Sequence, residues 1–200
     1  TLLMAGLTVG PLEVAVNLEA DRVEHGLEQR IINRSHAFWS LGFFATGLSG
    51  ALMAQLGVPV VFHFAGFGLI IVALTILSFS GFTQAPPRPS ADTGTPKFVR
   101  PSAAIMVLVG LTLSAMLAEG SAIDWSVIYM RDIFATVPLI NGLALALTAF
   151  FQFITRYFAD HFVVQYGPHK VAKICLWIML AGVILVAVAP AWPLALVGFA

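Results

Sequence analysis

Few residues of this chain can do chemistry, and they stand among long apolar runs. Glu13 and Asn17 are four residues apart, so on a helix they share one face. A carboxylate facing a polar cavity inside a membrane can take up and release a proton. The alternatives for Glu13 are a helix-end residue reaching water, or a Glu–Asn hydrogen bond that joins two helices. Glu119 is a second acid within an apolar run, with Asp124 and Trp125 just beyond it. Five residues turn a helix through about 500°, so Glu119 and Asp124 do not share a face. Asp124 is expected to cap or pair at the outer surface, with Arg131 as the partner in reach. Gln152, Arg156 and Asp160 do share a face, at i, i+4 and i+8, and Arg156 with Asp160 can form an ion pair that latches helices together. His36 is read either as a gate or proton acceptor near neutral pH or as a headgroup-level cap. No nucleophile–base–acid set, P-loop, metal-ligand pair or haem motif is seen, so neither a cofactor nor an enzyme is expected.

The elements that position these residues follow from composition. Of 200 residues, 59% are hydrophobic and only 10% are charged, and the mean hydropathy is +0.93. Soluble domains carry about 25% charged residues. Twenty charges cannot cover a globular surface, which excludes a soluble enzyme, a disordered chain and a nucleic-acid binder with a basic face. Ten Lys+Arg balance ten Asp+Glu, and the single cysteine, Cys175, forms no internal disulfide. The fold expected is an all-α polytopic membrane protein, and the bilayer is its first partner. A chain that begins at Thr1 without a Met and ends inside an apolar run is expected to be a fragment.

A helical span needs about 20 apolar residues. On that scale the spans are Thr1 to Ala20, His36 to Leu56, Val60 to Phe82, Pro101 to about Tyr129, about Val137 to Tyr157 and about Val171 to Ala189, with a seventh starting at Trp192. The acids Glu19, Asp21, Glu24 and Glu28 are expected in a solvated loop. Gly57-Val58-Pro59 is expected to make a tight turn, and the Pro-rich stretch 83–100 an extended linker. On span two, His36, Ser40, Gly47, Gly50 and Ala54 form a stripe of mostly small residues suited to close helix contact. Nine of the ten cations fall on alternate connections. The positive-inside rule then puts residues 21–35, 83–100 and 156–173 in the cytoplasm. Trp125, Tyr129 and Trp192 fall at outer interfaces, where anchoring is the plain reading.

Arg156-x3-Asp160-x6-Gly167-Pro168-x-Lys170 resembles the cytoplasmic loop between the eighth and ninth helices of major facilitator superfamily transporters, in the form of the fucose-permease-like branch. Leu12-Glu13-Val14-Ala15-Val16-Asn17, with Glu24, Arg30, His36, Ser40 and Gly42, resembles that branch's helix four, loop and helix five. Glu119-Gly120, Asp124-Trp125-Ser126 and Tyr129 resemble the end of its helix seven. His161 and Gln165 depart from the pattern, standing where the loop often carries arginines.

The resemblance covers the whole chain, as helices four to nine and part of ten. It implies that residues 1–82 are the last three helices of an N-terminal bundle, 83–100 the cytoplasmic connection, and 101–200 the first helices of a C-terminal bundle. It further implies an alternating-access carrier of a small, sugar-like solute in the cell (inner) membrane, driven by protons. Glu13 would couple the proton, Asn17 and Glu119 would line the path, and Arg156, Asp160, Gly167 and Lys170 would serve gating. A non-transporting membrane sensor or scaffold is the alternative. An intramembrane acyltransferase is disfavoured, because His36 and Ser40 are expected on the opposite side of the membrane from Glu119 and Asp124.

Overall fold

The computed structural model describes residues 2–87 and 101–200. Among them are seven helices and no strand: α1 Leu2–Leu27, α2 Ile32–Gln55, α3 Val60–Ser80, α4 Ala103–Phe134, α5 Pro138–Tyr166, α6 Pro168–Val188 and α7 Trp192–Phe199. Five of them, α2 to α6, are long and apolar enough to cross a membrane. The protein is an all-α polytopic membrane protein. Its outward faces fit that solvent: along α3, Phe62, Phe64, Leu69 and Leu77 are each 68–74% exposed, which costs little against hydrocarbon. From residue 88 onward, the expected linker lies outside the described residues.

Several helices outrun the apolar segments that predicted them. The first span was expected to end at Ala20, but α1 continues to Leu27. Glu19, Asp21 and Glu24 are half-buried on that helix rather than in a solvated loop. Glu19 pairs with Arg22 at 3.3 Å and accepts the Ala85 N–H, tying α1 to the segment after α3. Glu24 Oε2 accepts the N–H groups of Ile31 and Ile32, at 2.8 and 3.0 Å. It thereby satisfies two of the donors that a helix start leaves open. α4 begins at Ala103, not Pro101, with Ser102 Oγ accepting the Ile105 N–H at 3.4 Å as its cap. At 32 and 29 residues, α4 and α5 are about 48 and 44 Å long, well beyond the ~30 Å of hydrocarbon.

The turns have identifiable chemistry. At the end of α2, Val58 N–H donates to Met53 O at 3.0 Å and Gly57 N–H to Ala54 O at 3.2 Å, with Gly57 left-handed at φ 68. This is a Schellman closure, followed by Pro59, and the expected tight turn is present. α5 and α6 are joined by Gly167 alone, at φ 80 and ψ 151, a region that essentially only glycine occupies.

The central contact of the fold is the antiparallel pair α2 and α5, the most extensive helix–helix contact in the structure. Asn33 lies against Asp160 at one end, and Gln55 Oε1 accepts the Leu139 N–H at 3.1 Å at the other. Between these ends the seam is made of small residues: Ala37, Ser40 and Ala51 of α2 and Gly142, Ala146 and Ala149 of α5 are all buried. At its closest point, a Cβ on Gly142 would lie 2.3 Å from Ala51 Cβ. The stripe expected on α2 is therefore only partly the seam. Ser40 and Gly47, which faces Leu145 of α5, belong to it, whereas Gly50 faces His63 of α3 and Ala54 is exposed. The buried set is phased on Ala37, one residue past His36.

α1 and α3 contact α2, while α4, α6 and α7 contact α5. Met130, Ala144, Ala195 and Leu196 form a core between α4, α5 and α7, with Tyr129, Phe134 and Phe199 against it. Tyr129 donates its hydroxyl to Val186 O at 2.7 Å. It thereby ties α4 to the end of α6 while its ring packs on that core. Trp125 is 63% exposed.

Candidate functional site

A cavity of 620 Å³ opens between α1, α2, α4 and α5. Glu13 and Asn17 reach it from α1, His36 and Trp39 from α2, Glu119 from α4 and Arg156 from α5. Much of the remaining wall is apolar, including Val9, Leu12, Val16, Met116 and Ile123. Five residues singled out by type and spacing, Glu13, Asn17, His36, Glu119 and Arg156, therefore meet at one place. Pro11 removes one backbone donor from the hydrogen-bond ladder of α1 just before Glu13, and the helix runs on unbroken to Leu27.

The strongest interaction in the wall joins three helices. Arg156 Nη2 donates to Glu119 Oε1 at 2.8 Å, and Arg156 Nη1 donates to Ser40 Oγ at 2.9 Å. The Ser40 hydroxyl in turn donates to the His36 carbonyl at 3.3 Å. The guanidinium carbon lies 5.8 Å from the centre of the Trp39 ring, within reach of a cation–π attraction. The side chains of Arg156 and Glu119 are each 29% exposed, so the pair is largely withdrawn from the surroundings yet open to the cavity.

This corrects the expected latch. Arg156 binds Glu119 and Ser40, while Asp160 Oδ1 accepts from Asn33 Nδ2 at 2.8 Å. The second Asp160 oxygen is buried without a hydrogen-bond partner among the described residues. The cause is helix length. Hydropathy fades at Tyr157, which made Arg156 look like a residue of the connection, but α5 runs on to Tyr166. α4 likewise runs to Phe134, which brings Glu119 to its middle. Both residues are thus interior to long helices and meet there.

The other candidates lie elsewhere. Asp124 is exposed on α4, and Arg131 pairs with its neighbour Asp132 at 2.7 Å rather than with Asp124. Gly167 and Lys170 form the corner between α5 and α6, with Lys170 Nζ 5.3 Å from the Tyr166 ring centre. At the adjacent end of α2, Arg34 lies 5.6 Å over the Tyr157 ring. Trp39 was missed as a cavity residue, although it lies three residues after His36 on the same helix. Asn33 was missed too; its seven-residue spacing from Ser40 was the available signal, because both face α5.

The chain is 27% identical over 203 residues to an uncharacterized transporter of Sinorhizobium fredii, a match that takes in 99% of this chain and 52% of that protein. It is 24% identical over 170 residues to an uncharacterized MFS-type transporter of Yersinia pestis, covering 85% of this chain and 44% of that one. The chain thus spans about half the length of the curated relatives it matches. No family model matches it, and no solved structure matches it significantly. Both relatives are named as transporters, the second as one of the MFS (major facilitator superfamily) type, and the five helices of this chain that are long and apolar enough to cross a membrane fit a multi-pass membrane protein.

Proposed function

We propose that the chain is part of a secondary active transporter that moves a small organic solute by alternating access, coupled to protons. In this reading residues 1–82 complete an N-terminal bundle, 83–100 connect the halves on the cytoplasmic side, and 101–200 begin a C-terminal bundle in the cell (inner) membrane. The solute is sugar-like in the branch that the sequence resembles. One observation carries the reading: Glu13, Asn17, His36, Glu119 and Arg156 come from four helices to one cavity beside the α2–α5 seam. Transporter sites of this kind sit where two repeats meet and are lined by ionisable residues that a membrane otherwise excludes. Glu13 faces the cavity without an ion-pair partner among the described residues. It is therefore the acid free to exchange a proton, with Asn17 and Glu119 lining the path. The arginine of the loop motif belongs to the cavity wall instead of the gate, and Asp160, Gly167 and Lys170 retain the gating role.

The test is solute uptake by full-length protein in proteoliposomes under an imposed pH gradient. Glu13→Gln should abolish proton-driven uptake and spare solute exchange. Unchanged pH-driven uptake in that variant would remove Glu13 from the mechanism. Absence of any uptake by the unmodified protein would favour a non-transporting sensor.

A further inference from the structure

We propose that Glu119 and Arg156 form a proton-dependent receptor for a carboxylate group of the transported solute. This rests on the transporter reading above and adds the substrate class. Arg156 has five N–H donors arranged in a fork suited to a carboxylate. Two N–H groups are used here: one on Ser40 Oγ and one on a single oxygen of Glu119. The pair is single-bonded rather than forked, so the face of the guanidinium on the cavity keeps donors to offer. Trp39 beside it and Val9, Leu12, Val16, Met116 and Ile123 around it supply an apolar bed for the body of a solute that carries one acid group.

Charge balance selects the ligand. The ion pair is neutral as a unit. If Glu119 takes a proton, its charge-assisted bond to Arg156 weakens and the guanidinium is left in the cavity wall with the Ser40 hydroxyl and the Trp39 ring but no anion bonded to it. An uncompensated charge there is costly. A solute carboxylate restores neutrality by accepting the Arg156 N–H groups that Glu119 gives up. A neutral or cationic solute cannot. In balance, one proton is added to a Glu119 oxygen, one Arg156–Glu119 bond is lost, and Arg156–carboxylate bonds form with the solute. Proton and anion therefore bind as a pair, each raising the affinity of the other. Among the described residues, the other titratable groups around this cavity are Glu13 from α1 and His36 from α2. In this proposal the proton reaches Glu119 by way of Glu13.

The experiment uses purified full-length protein with benzoate, hexanoate and gluconate as probes, and benzamide, hexanamide and glucose as their uncharged counterparts. Binding is read as thermal stabilisation at pH 5.5 and 7.5. At least one carboxylate should stabilise the protein, and its uncharged counterpart should not. One proton taken up per anion gives up to about a tenfold gain in affinity per unit fall in pH. Glu119→Gln should keep binding but reduce its pH dependence to less than about twofold. Arg156→Gln should abolish binding, and Arg156→Lys, which keeps the charge but not the fork, should weaken it at least tenfold while the protein still folds. Stabilisation by no carboxylate, stabilisation by an uncharged probe alone, or carboxylate binding that survives Arg156→Gln would each overturn the proposal. Uptake in proteoliposomes separates the two readings. Proton-driven uptake of an uncharged probe would sustain the transporter and overturn the carboxylate receptor. Carboxylate binding of the expected pattern without any uptake would do the reverse.

Discussion

The seam between α2 and α5 can be tested at its tightest point. A Cβ added to Gly142 would lie 2.3 Å from Ala51 Cβ and 3.2 Å from Ala51 Cα, whereas carbon atoms settle at about 3.5–4.0 Å. The helices must therefore part by about 1.2–1.7 Å at that point, and overpacking of this kind costs about 1–3 kcal/mol. Gly142→Ala should be destabilised by about 2 kcal/mol, the upper end of that range for so close an approach less the roughly 1 kcal/mol by which alanine is the better helix former. Ala51→Gly removes the opposing Cβ and on its own should cost about 1 kcal/mol through helix propensity and lost packing. In the double variant the Cβ–Cβ clash is gone and only the 3.2 Å approach to the Cα of residue 51 persists, so the two changes should compensate. If independent they would sum to about 3 kcal/mol. The double variant should instead lose about 1.5 kcal/mol, a coupling of roughly 1.5 kcal/mol, outside the range of about 0.3–0.5 kcal/mol expected of unconnected sites. Thermal unfolding in detergent, followed by tryptophan fluorescence, gives the order of the four proteins. Additive losses, or a Gly142→Ala variant as stable as the parent, would refute the close packing of these helices.

Two further changes probe the ends of helices. Glu24→Ala removes the acceptor shared by Ile31 and Ile32, which should cost about 0.5–2 kcal/mol as caps do; hydrogen exchange at those two amides should quicken while exchange in the middle of α2 does not. Gly167→Ala forces a side chain into φ 80, ψ 151 and should cost about 1–3 kcal/mol. By contrast Gly110→Ala, helical and in open space, should be neutral or stabilising in the same thermal assay.

Hydropathy made the number and order of the helices legible, because each bilayer crossing requires a long apolar run. It did not make their ends legible. Backbone hydrogen bonds continue through Arg131 and Asp132, and through the polar turns between Phe158 and Tyr166, as readily as through leucine. A helix outlasting its apolar segment therefore leaves no hydropathy signal. That one error put Glu119 in the outer part of the bilayer and Arg156 at the cytoplasmic end of its span, and so hid their contact. The i, i+4 spacing correctly put Arg156 and Asp160 on one side of α5, but facing side chains need not pair. Arg156 is bonded to Glu119, 37 residues away in sequence, and nothing local announces such a partner. Glu13 and Asn17 were legible as cavity candidates because polar side chains inside apolar runs are costly, whereas His36, at the end of a span, was legible only as a gate or a cap. Trp39 was not, since a tryptophan in a membrane helix has many ordinary uses.

The tight approach of Gly142 to Ala51 also has a mechanical meaning. Arg156 lies fourteen residues further along α5, about 21 Å at the helical rise, so tilting α5 by about 10° around that contact swings Arg156 through about 4 Å. The bond from Arg156 to Ser40 is 2.9 Å long and cannot stretch so far. α5 is thus a lever with its fulcrum at a pair of small side chains, and the guanidinium is the pointer at its far end. A small angular change between two helices becomes the making or breaking of a hydrogen bond at the cavity wall.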